Sequence, residues 1–404
     1  MPALAEADTN NVSAPTAADL IERAKAMIPV LKARAKACVA GRDVPVETVT
    51  EMKEAGFFRV LQPRRYGGFE MHPNVFFEVQ KHLAEGCMST GWIYGVLGCH
   101  PYQLGLFDDR AQKEVWGSDR DMLVSSTYQP VGKVERAEGG FYLSGHWGFS
   151  SGSAHCGWVL LGSIIPPASE GEPIEMRTFL LPREDYTIDK DKWHTFGLQG
   201  TGSHDIIVDR AFVPEYRTHR GIDGFLGTNP GQQVNTAPLY SMPWAQLFVR
   251  SVSTSSMGAA KAAIGAALEI MKTRVSTNTG KASKDDQFLQ QAIASAVAQI
   301  DEMELSLKAS FDEIMAYCER GETIPMERRT LFTYQSSTVV RRLAGLVDAM
   351  VARLGSKALY MNSEMVQPWL DLNAGRAHVA NDPGNRMEDV VNTMMGSPPQ
   401  YGFL

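Results

Sequence analysis

Hydroxyl side chains in glycine-flanked segments are the first groups in this chain that could do chemistry. The run Gly140-Phe-Tyr-Leu-Ser-Gly-His-Trp-Gly-Phe-Ser-Ser-Gly152 is typical of a strand that ends in a serine-rich turn. Its Ser150 or Ser151 could hydrogen-bond a heteroatom of a flat ring, while Trp147 and Phe149 could wall that ring. An ordinary β-turn with satisfied hydroxyls explains the same segment, so both interpretations stay open. The other candidate hydroxyls are Ser125, Ser126, Thr127, Thr201 and Ser203.

A second glycine-rich turn lies in the run from Trp193 to Glu215. Its glycines at 197, 200 and 202 allow positive φ angles and a close approach of the backbone to a planar ligand. The turn leads into an alternating strand rather than a helix, and its spacing differs from the dinucleotide fingerprint. Any cofactor is therefore expected to bind outside a Rossmann domain.

Two histidines are candidates for proton transfer, because imidazole titrates near neutral pH. His100 lies beside Pro101 at the predicted end of an apolar helix. His378 is followed closely by Asn381 and Asp382. A lone histidine is more often structural, so the sequence alone does not separate the two roles.

The hydrophobic pattern divides the chain into three parts and predicts an α+β fold. Helical periodicity over residues 17–121 gives way to short β-rich runs over 122–228, and residues 229–404 read as a helical bundle of the four-helix type. Residues 1–16 resemble a short disordered tail. Prolines 383, 398 and 399 predict an irregular segment from residue 382 onward.

Composition excludes several classes of protein. The net charge of −7 disfavours nucleic acid as a partner, and no apolar run is long enough for a membrane span. The five cysteines are widely spaced and form no C-x-x-C pair, which favours reduced thiols in the cytoplasm over disulfides or a metal site.

These features together resemble a known family. The segment Trp193…Gly197-Leu-Gln-Gly-Thr-Gly-Ser203…Phe212-Val-Pro-Glu215, placed between two helical regions, resembles the acyl-CoA dehydrogenase fold. Within that fold the chain is most similar to the oxygenase components of two-component flavin-dependent aromatic monooxygenases, which include the hydroxylases of secosteroid phenols and of 4-hydroxyphenylacetate. The matching segments are Gly56–Pro63, Tyr66–Gly68, Ser89–Trp92, Leu106–Trp116, Trp147–Gly152, Ala237–Trp244 and Asn373–Pro383.

The resemblance implies an enzyme that takes reduced FMN or FAD from a separate NAD(P)H:flavin reductase. It reacts the flavin with O₂ to a hydroperoxide and hydroxylates a phenol ortho to its hydroxyl, in a homotetramer. It implies His378 as the base, with His100 and Ser126 orienting the phenol, or the reverse order. The flavin-contacting set is Trp92, Ser126, Thr127, Phe149, Ser150, Ser151, Thr201, Ser203 and Arg274. The substrate-contacting set is His100, Trp244, Asn381 and Asp382.

Departures from the family pattern narrow the expectation. Where the hydroxyphenylacetate enzymes carry an arginine after Met-Pro-Trp, this chain has Ala245 and Gln246, which favours a neutral, larger substrate unless Arg250 reaches the site. The Phe-Gly that usually follows the phosphate arginine is missing after Arg274. The segment around His378 lacks the glutamate that acyl-CoA dehydrogenation needs. Indole oxidation, N-hydroxylation, a dehydrogenase-like activity and a non-catalytic flavin-binding protein remain the alternatives.

Overall fold

The computed structural model describes residues 14–404 except residues 168, 170, 172, 173 and 277–279. Most of the expected disordered tail, residues 1–13, lies outside the described residues. Thr16 starts the first helix with a capping box, in which its Oγ1 accepts from the backbone N–H of Asp19. Five helices form the N-terminal part: α1 (Ala17–Gly41), α2 (Val46–Glu54), α3 (Pro73–Gly86), α4 (Met88–Leu104) and α5 (Asp109–Trp116).

Helix α4 runs through the centre of the protein and carries Trp92 and His100. All 17 of its residues are buried, as expected for a helix without a polar face. A Cβ atom on Gly95 would lie 2.0 Å from Nε2 of Gln80 and 2.8 Å from the carbonyl oxygen of Ser251. Glycine therefore lets neighbouring helices pack directly on α4. Trp92 and His100 are about two turns apart, so they share roughly one face at a separation of ~12 Å along the axis.

Two four-stranded sheets pack face to face in the middle of the chain. One has the order β1-β4-β5-β8, in which β1 and β4 are parallel, and the other is the antiparallel sheet β2-β3-β7-β6. Trp147 is fully buried between them and donates its indole N–H to the carbonyl of Gly162. The expectation that Trp147 walls a ligand is therefore wrong. The strands are β1 (Val124–Thr127), β2 (Lys133–Ala137), β3 (Gly140–Ser150), β4 (Trp158–Ile165), β5 (Glu175–Pro182), β6 (Thr187–Asp189), β7 (His204–Pro214) and β8 (Thr218–Arg220).

The C-terminal helices share one core with the N-terminal ones. Helix α7 packs against α3, α4, α9 and α10, and its buried face is rich in small residues. Among the residues that the structure describes, none of the helices has the length and apolar character that crossing a bilayer requires. These helices are α6 (Gly221–Leu226), α7 (Trp244–Thr273), α8 (Gln287–Glu319), α9 (Met326–Leu354), α10 (Val366–Gly375) and α11 (Gly384–Met394).

Helix α11 corrects the expectation of an irregular C-terminal segment. Pro383 precedes the first helical residue, a position where a missing N–H costs nothing. After the helix, the buried Asp389 carboxylate accepts from the backbone N–H groups of Gln400 at 2.7 Å and Tyr401 at 3.2 Å. The prolines therefore bracket a helix instead of excluding one.

Gly258 in α7 gives a direct test of the close helix packing. A Cβ atom there would lie 2.2 Å from the carbonyl oxygen of Lys81 and 2.6 Å from the backbone nitrogen of Glu85. Gly258→Ala is expected to lower the free energy of unfolding by about 1–3 kcal/mol, measured by denaturant titration. At Gly265 in the same helix, no atom of the described residues lies within 4 Å of such a Cβ. Gly265→Ala should instead stabilise by about 0.5–1 kcal/mol, and equal effects at both sites would contradict this packing.

Candidate active site

His100 combines full burial with an unused hydrogen-bonding atom. Its Nδ1 lies 2.6 Å from the carbonyl oxygen of Val124, the first residue of β1. Because a carbonyl only accepts, Nδ1 carries the proton and Nε2 keeps its lone pair. Nε2 is buried and has no hydrogen-bond partner among the described residues. Burial lowers the pKa of His100 to about 4, so the ring is a neutral acceptor at physiological pH.

Aromatic rings enclose His100, and with it they form what we call the ring cluster. The rings of Tyr128 and Trp244 each have their centroids 6.4 Å from that of His100. Tyr102 and Phe248 pack on Trp244, with centroid distances of 6.2 and 5.5 Å. Trp244 was expected at the substrate, whereas Tyr128 and Phe248 were missed. For Phe248 the available signal was its spacing, because it follows Trp244 by one helical turn.

Ser126 reaches the ring cluster through Tyr128. The Ser126 side chain interacts with the hydroxyl of Tyr128, which donates its proton to Oε1 of Gln103. Burial raises the pKa of Tyr128 well above its usual value, so its hydroxyl stays protonated. Residues i and i+2 of an extended chain face the same side, which brings Ser126 and Tyr128 together. Thr127 lies between them and is buried.

A chain of four hydrogen bonds, here called the hydroxyl relay, links Trp92 to Leu198. Trp92 Nε1 donates to Ser151 Oγ at 3.3 Å; Ser151 and Ser203 are 2.7 Å apart, and Ser203 and Thr201 2.6 Å. Thr201 donates to the carbonyl of Leu198 at 2.9 Å. Because that carbonyl only accepts, Ser203 donates to Thr201 and Ser151 donates to Ser203. One lone pair of Ser151 Oγ is therefore left to accept from a further donor.

The residues just before Ser151 differ in exposure. Ser150 is fully buried, and its Oγ has no partner among the described residues. The ring of Phe149 is 41% exposed and packs on Trp193 at a centroid distance of 5.0 Å. Phe149 therefore lies at the outer end of this strand, where a flat ligand could still cover it.

His378 adjoins the relay with the opposite hydrogen-bond polarity to His100. Its ring meets that of Trp92 edge-on at a centroid distance of 5.6 Å. The backbone N–H of Ala380 donates to His378 Nδ1 at 3.1 Å, so in the neutral ring the proton is on Nε2. Burial, followed by the charge of Arg386, lowers the pKa of His378 below its usual value. Neutral His378 therefore presents a donor, whereas neutral His100 presents an acceptor.

The glycines of the turn approach protein atoms. Cβ atoms would lie 2.2 Å from the carbonyl oxygen of Leu370 at Gly197, 2.2 Å from Cys38 Sγ at Gly200, and 2.5 Å from Asp43 Oδ1 at Gly202. Only Gly202 of the three has a positive φ, at 51°. The expectation that these glycines admit a ligand is corrected: they let the turn pack on its neighbours.

Three further residues of the expected site already have partners within the protein. Asn381 is buried and donates to the carbonyl of Gly375 at 2.8 Å, although its Oδ1 has no partner among the described residues. Asp382 forms an exposed ion pair with Arg341 at 2.9 Å. Arg274 follows the last residue of helix α7 and donates to the hydroxyl of Ser283 at 2.9 Å. The contact between Arg274 and a flavin phosphate stays a prediction.

Asp371 holds the glycine-rich turn to α10. Its Oδ1 accepts from the backbone N–H of Leu198 and from Nε2 of Gln367, both at 2.7 Å. Burial raises the pKa of Asp371 to about 7. A raised carboxyl pKa means that the folded state favours the protonated form, and this stabilisation is lost as pH rises through 7.

Asp371→Asn should therefore change how stability depends on pH. The wild type is expected to lose roughly 2–3 kcal/mol of unfolding free energy between pH 5 and pH 8 relative to the variant. Urea titrations across this range measure the difference. Asp382→Asn is the matched control, because that carboxyl is exposed. Parallel curves for wild type and Asp371→Asn would contradict the assignment.

The relay and the ring cluster fit a flavin. A reduced flavin ring carries N–H donors, one of which the open lone pair of Ser151 would accept, and the buried hydroxyl of Ser150 would be available for a second polar atom. Trp92 is an apolar neighbour of the same site. About two turns further along α4, in the ring cluster, Nε2 of neutral His100 is available as a hydrogen-bond acceptor for a second molecule.

Comparison with known proteins agrees with this fit. Residues 22–119 match the family model for the acyl-CoA dehydrogenase N-terminal domain, and residues 251–383 match that for the C-terminal domain. The chain is 36% identical over 367 residues to the flavin-dependent monooxygenase oxygenase subunit HsaA of Rhodococcus jostii RHA1, covering 90% of this chain and 94% of that protein. The chain belongs to the oxygenase components of flavin-dependent monooxygenases.

Other relatives extend this result. A FADH₂-dependent resorcinol hydroxylase oxygenase component from Rhizobium sp. MTP-10005 is 28% identical over 393 residues, covering 93% of both chains. The crystal structure of 3-HSA hydroxylase from Rhodococcus sp. RHA1 superposes with a TM-score of 0.90 at 33% identity, covering 96% of this chain and 99% of that one. This oxygenase component has the acyl-CoA dehydrogenase fold, uses flavin, and is an aromatic hydroxylase.

Proposed function

We propose that this oxygenase component hydroxylates a neutral phenol at the carbon ortho to its hydroxyl. The observation that carries the proposal is the unpartnered Nε2 of His100 inside the ring cluster. A phenol in this cluster packs its ring against aromatic side chains and donates its O–H to Nε2. Bound reduced FMN or FAD supplies the activation of O₂ and the transfer of one oxygen atom.

His100 is the base in this proposal. The Val124 carbonyl holds the proton on Nδ1, so Nε2 is the atom that accepts the phenol proton. As the proton moves, charge on the phenol oxygen raises electron density at the ortho carbon, which is where oxygen would be added. The imidazolium that forms keeps its hydrogen bond to Val124, which favours the charged ring. Ser126 acts through Tyr128, which packs against His100.

His378 has a donor role. Its Nδ1 lone pair is taken by the N–H of Ala380, so Nε2–H can donate to the flavin or to the oxygen being transferred. Hydrogen-bond polarity thus favours the order in which His100 is the base and His378 is not.

Ser151 holds a proton on the bound flavin. The relay fixes the direction of the Ser151 hydroxyl, leaving its oxygen as an acceptor for the flavin N5–H. Loss of that proton would release peroxide instead of product. Trp92 and the buried relay keep water away from the same atom. The remaining proposed flavin contacts come from the β-strands and the glycine-rich turn: Thr127, Ser150, Thr201 and Ser203.

The proposed preference for a neutral substrate rests on the position of Arg250. Arg250 is buried over the ring of Phe77 at 5.1 Å and against Met257, on the side of α7 opposite Phe248. Arg250 therefore does not replace the arginine that the hydroxyphenylacetate enzymes carry where this chain has Ala245. A carboxylated phenol would lose its water shell in the ring cluster without gaining a salt bridge from this helix.

A separate NAD(P)H:flavin reductase and a homotetrameric, cytoplasmic state belong to the same proposal. Support for assembly comes from α11, where Met387, Val391 and Met394 form an exposed apolar stripe. Free thiols at all five cysteines support a reducing compartment. Light scattering on the purified protein tests the tetramer.

A matched pair of phenols tests the proposed function. The protein is mixed with reduced flavin, ¹⁸O₂ and either 4-hydroxyphenylethanol or 4-hydroxyphenylacetate, which share a ring and differ in charge. We expect an ortho diol containing one ¹⁸O atom, with higher kcat/KM for the neutral phenol. Exclusive oxidation of indole or of an amine in a parallel panel would contradict the proposal, and a preference for the carboxylate would contradict the neutral pocket.

A further inference from the structure

Two free thiols meet beneath the turn that carries the hydroxyl relay. Cys38 lies in the last turn of α1 and is buried, while Cys87 lies between α3 and α4 and is partly exposed. Their Sγ atoms are 4.0 Å apart. The proposed oxygenase reaction uses neither residue, and neither was singled out by motif.

The two thiols differ in acidity. Hydrogen bonding with Cys38, and with the side chain and N–H of Thr90 at the start of α4, lowers the pKa of Cys87. The shared hydrogen bond and burial raise the pKa of Cys38. Cys38 donates its S–H to the Gly200 carbonyl and is therefore the protonated thiol, while Cys87 is the more acidic thiol of the pair.

We propose that Cys38 and Cys87 are a peroxide-sensitive dithiol. The Cys87 thiolate attacks one oxygen of hydrogen peroxide, the O–O bond breaks, and Cys87 sulfenic acid and hydroxide form. The Cys38 thiol then attacks the sulfenic sulfur, and water leaves as the disulfide forms. Overall, two thiols and one H₂O₂ give one disulfide and two waters. The oxidant is a by-product of the proposed function whenever oxygen transfer fails.

The disulfide would act on the relay through Gly200. Cys38 Sγ lies 3.6 Å from the Gly200 carbonyl, and the next residue is Thr201 of the relay. A disulfide requires sulfurs about 2.05 Å apart, so the pair must close by roughly 2 Å. Cys38 then leaves the Gly200 carbonyl, and the turn loses a contact directly beside the relay. Oxidation is thus expected to reduce coupling of flavin oxidation to hydroxylation, reversibly.

Peptide mass spectrometry tests the dithiol without any turnover. The full chain, free of flavin, is treated with one equivalent of H₂O₂, alkylated and digested. We expect a Cys38–Cys87 linked peptide lacking two hydrogens, which dithiothreitol reverses. Cys38→Ser should leave a sulfenic acid at Cys87 that dimedone traps, and Cys87→Ser should leave Cys38 unoxidised. Cys318→Ser is the control and should form the link normally.

Three results would overturn the proposal: oxidation confined to other cysteines, sulfenic acid at Cys87 of the wild type without a link, or equal trapping at Cys38 in Cys87→Ser. The coupling ratio of oxidised wild type, measured beside peroxide-treated Cys38→Ser, tests the effect on the relay. A linked peptide in a protein that hydroxylates no phenol would support the dithiol and contradict the proposed function, so the two failures are distinguishable.

Discussion

His100→Asn is expected to reduce kcat for phenol hydroxylation by about 10²–10⁴-fold, the usual contribution of a positioned base. The asparagine amide can still donate to the Val124 carbonyl, as Nδ1 does at 2.6 Å, but nothing replaces Nε2. Flavin binding should persist, since Trp92, the proposed flavin neighbour on α4, lies about two turns away from His100. Rapid-quench measurement of hydroxylated product and of oxidised flavin separates a loss of hydroxylation from a loss of flavin binding.

His378→Asn is the comparison that decides between the two histidines. Its Oδ1 can still accept from the N–H of Ala380, so the local backbone is preserved while the Nε2–H donor is lost. We expect a smaller loss of the hydroxylation step than in His100→Asn, with more peroxide released. The reverse order, with His378→Asn abolishing hydroxylation and His100→Asn retaining it, would show that His378 is the base.

Ser151→Ala should convert most reduced flavin consumption into H₂O₂ release. Loss of a hydrogen bond to a buried donor costs about 1–3 kcal/mol, which corresponds to roughly a 5–150-fold faster leak of peroxide. The variant also leaves the indole N–H of Trp92 without its acceptor. The ratio of diol to H₂O₂ at fixed reduced flavin measures the effect.

Ser203→Ala provides the matched control for the relay. It removes the acceptor of the Ser151 proton, 2.7 Å away, but leaves the Ser151 oxygen in place. The Ser151 hydroxyl is then free to rotate and to donate, so we expect an intermediate loss of coupling. Unchanged coupling in Ser151→Ala, or a larger loss in Ser203→Ala than in Ser151→Ala, would contradict the role of Ser151 as acceptor.

Local patterns predicted the helices and strands that carry the site. Apolar spacing at three to four residues and alternation over short runs depend only on neighbouring residues, so the α+β order was readable. Helix α11 was missed because prolines mark boundaries without saying on which side the helix lies. The glycines at 197, 200 and 202 were predicted to matter, but the partners they approach come from α10, α1 and the loop after α1, which no local pattern reveals.

The sequence by itself determined the family and the use of flavin, because these follow from motifs that span almost the whole chain. It could not order the two histidines. Hydrogen-bond polarity decides which nitrogen is free, and that polarity comes from Val124 in one case and Ala380 in the other. Tertiary structure also brought Cys38 of α1 beside Cys87 before α4. The sequence states which side chains are present. Which hydrogen-bond partner places the proton on a histidine nitrogen, and which thiol lies beside another, depends on how distant segments pack.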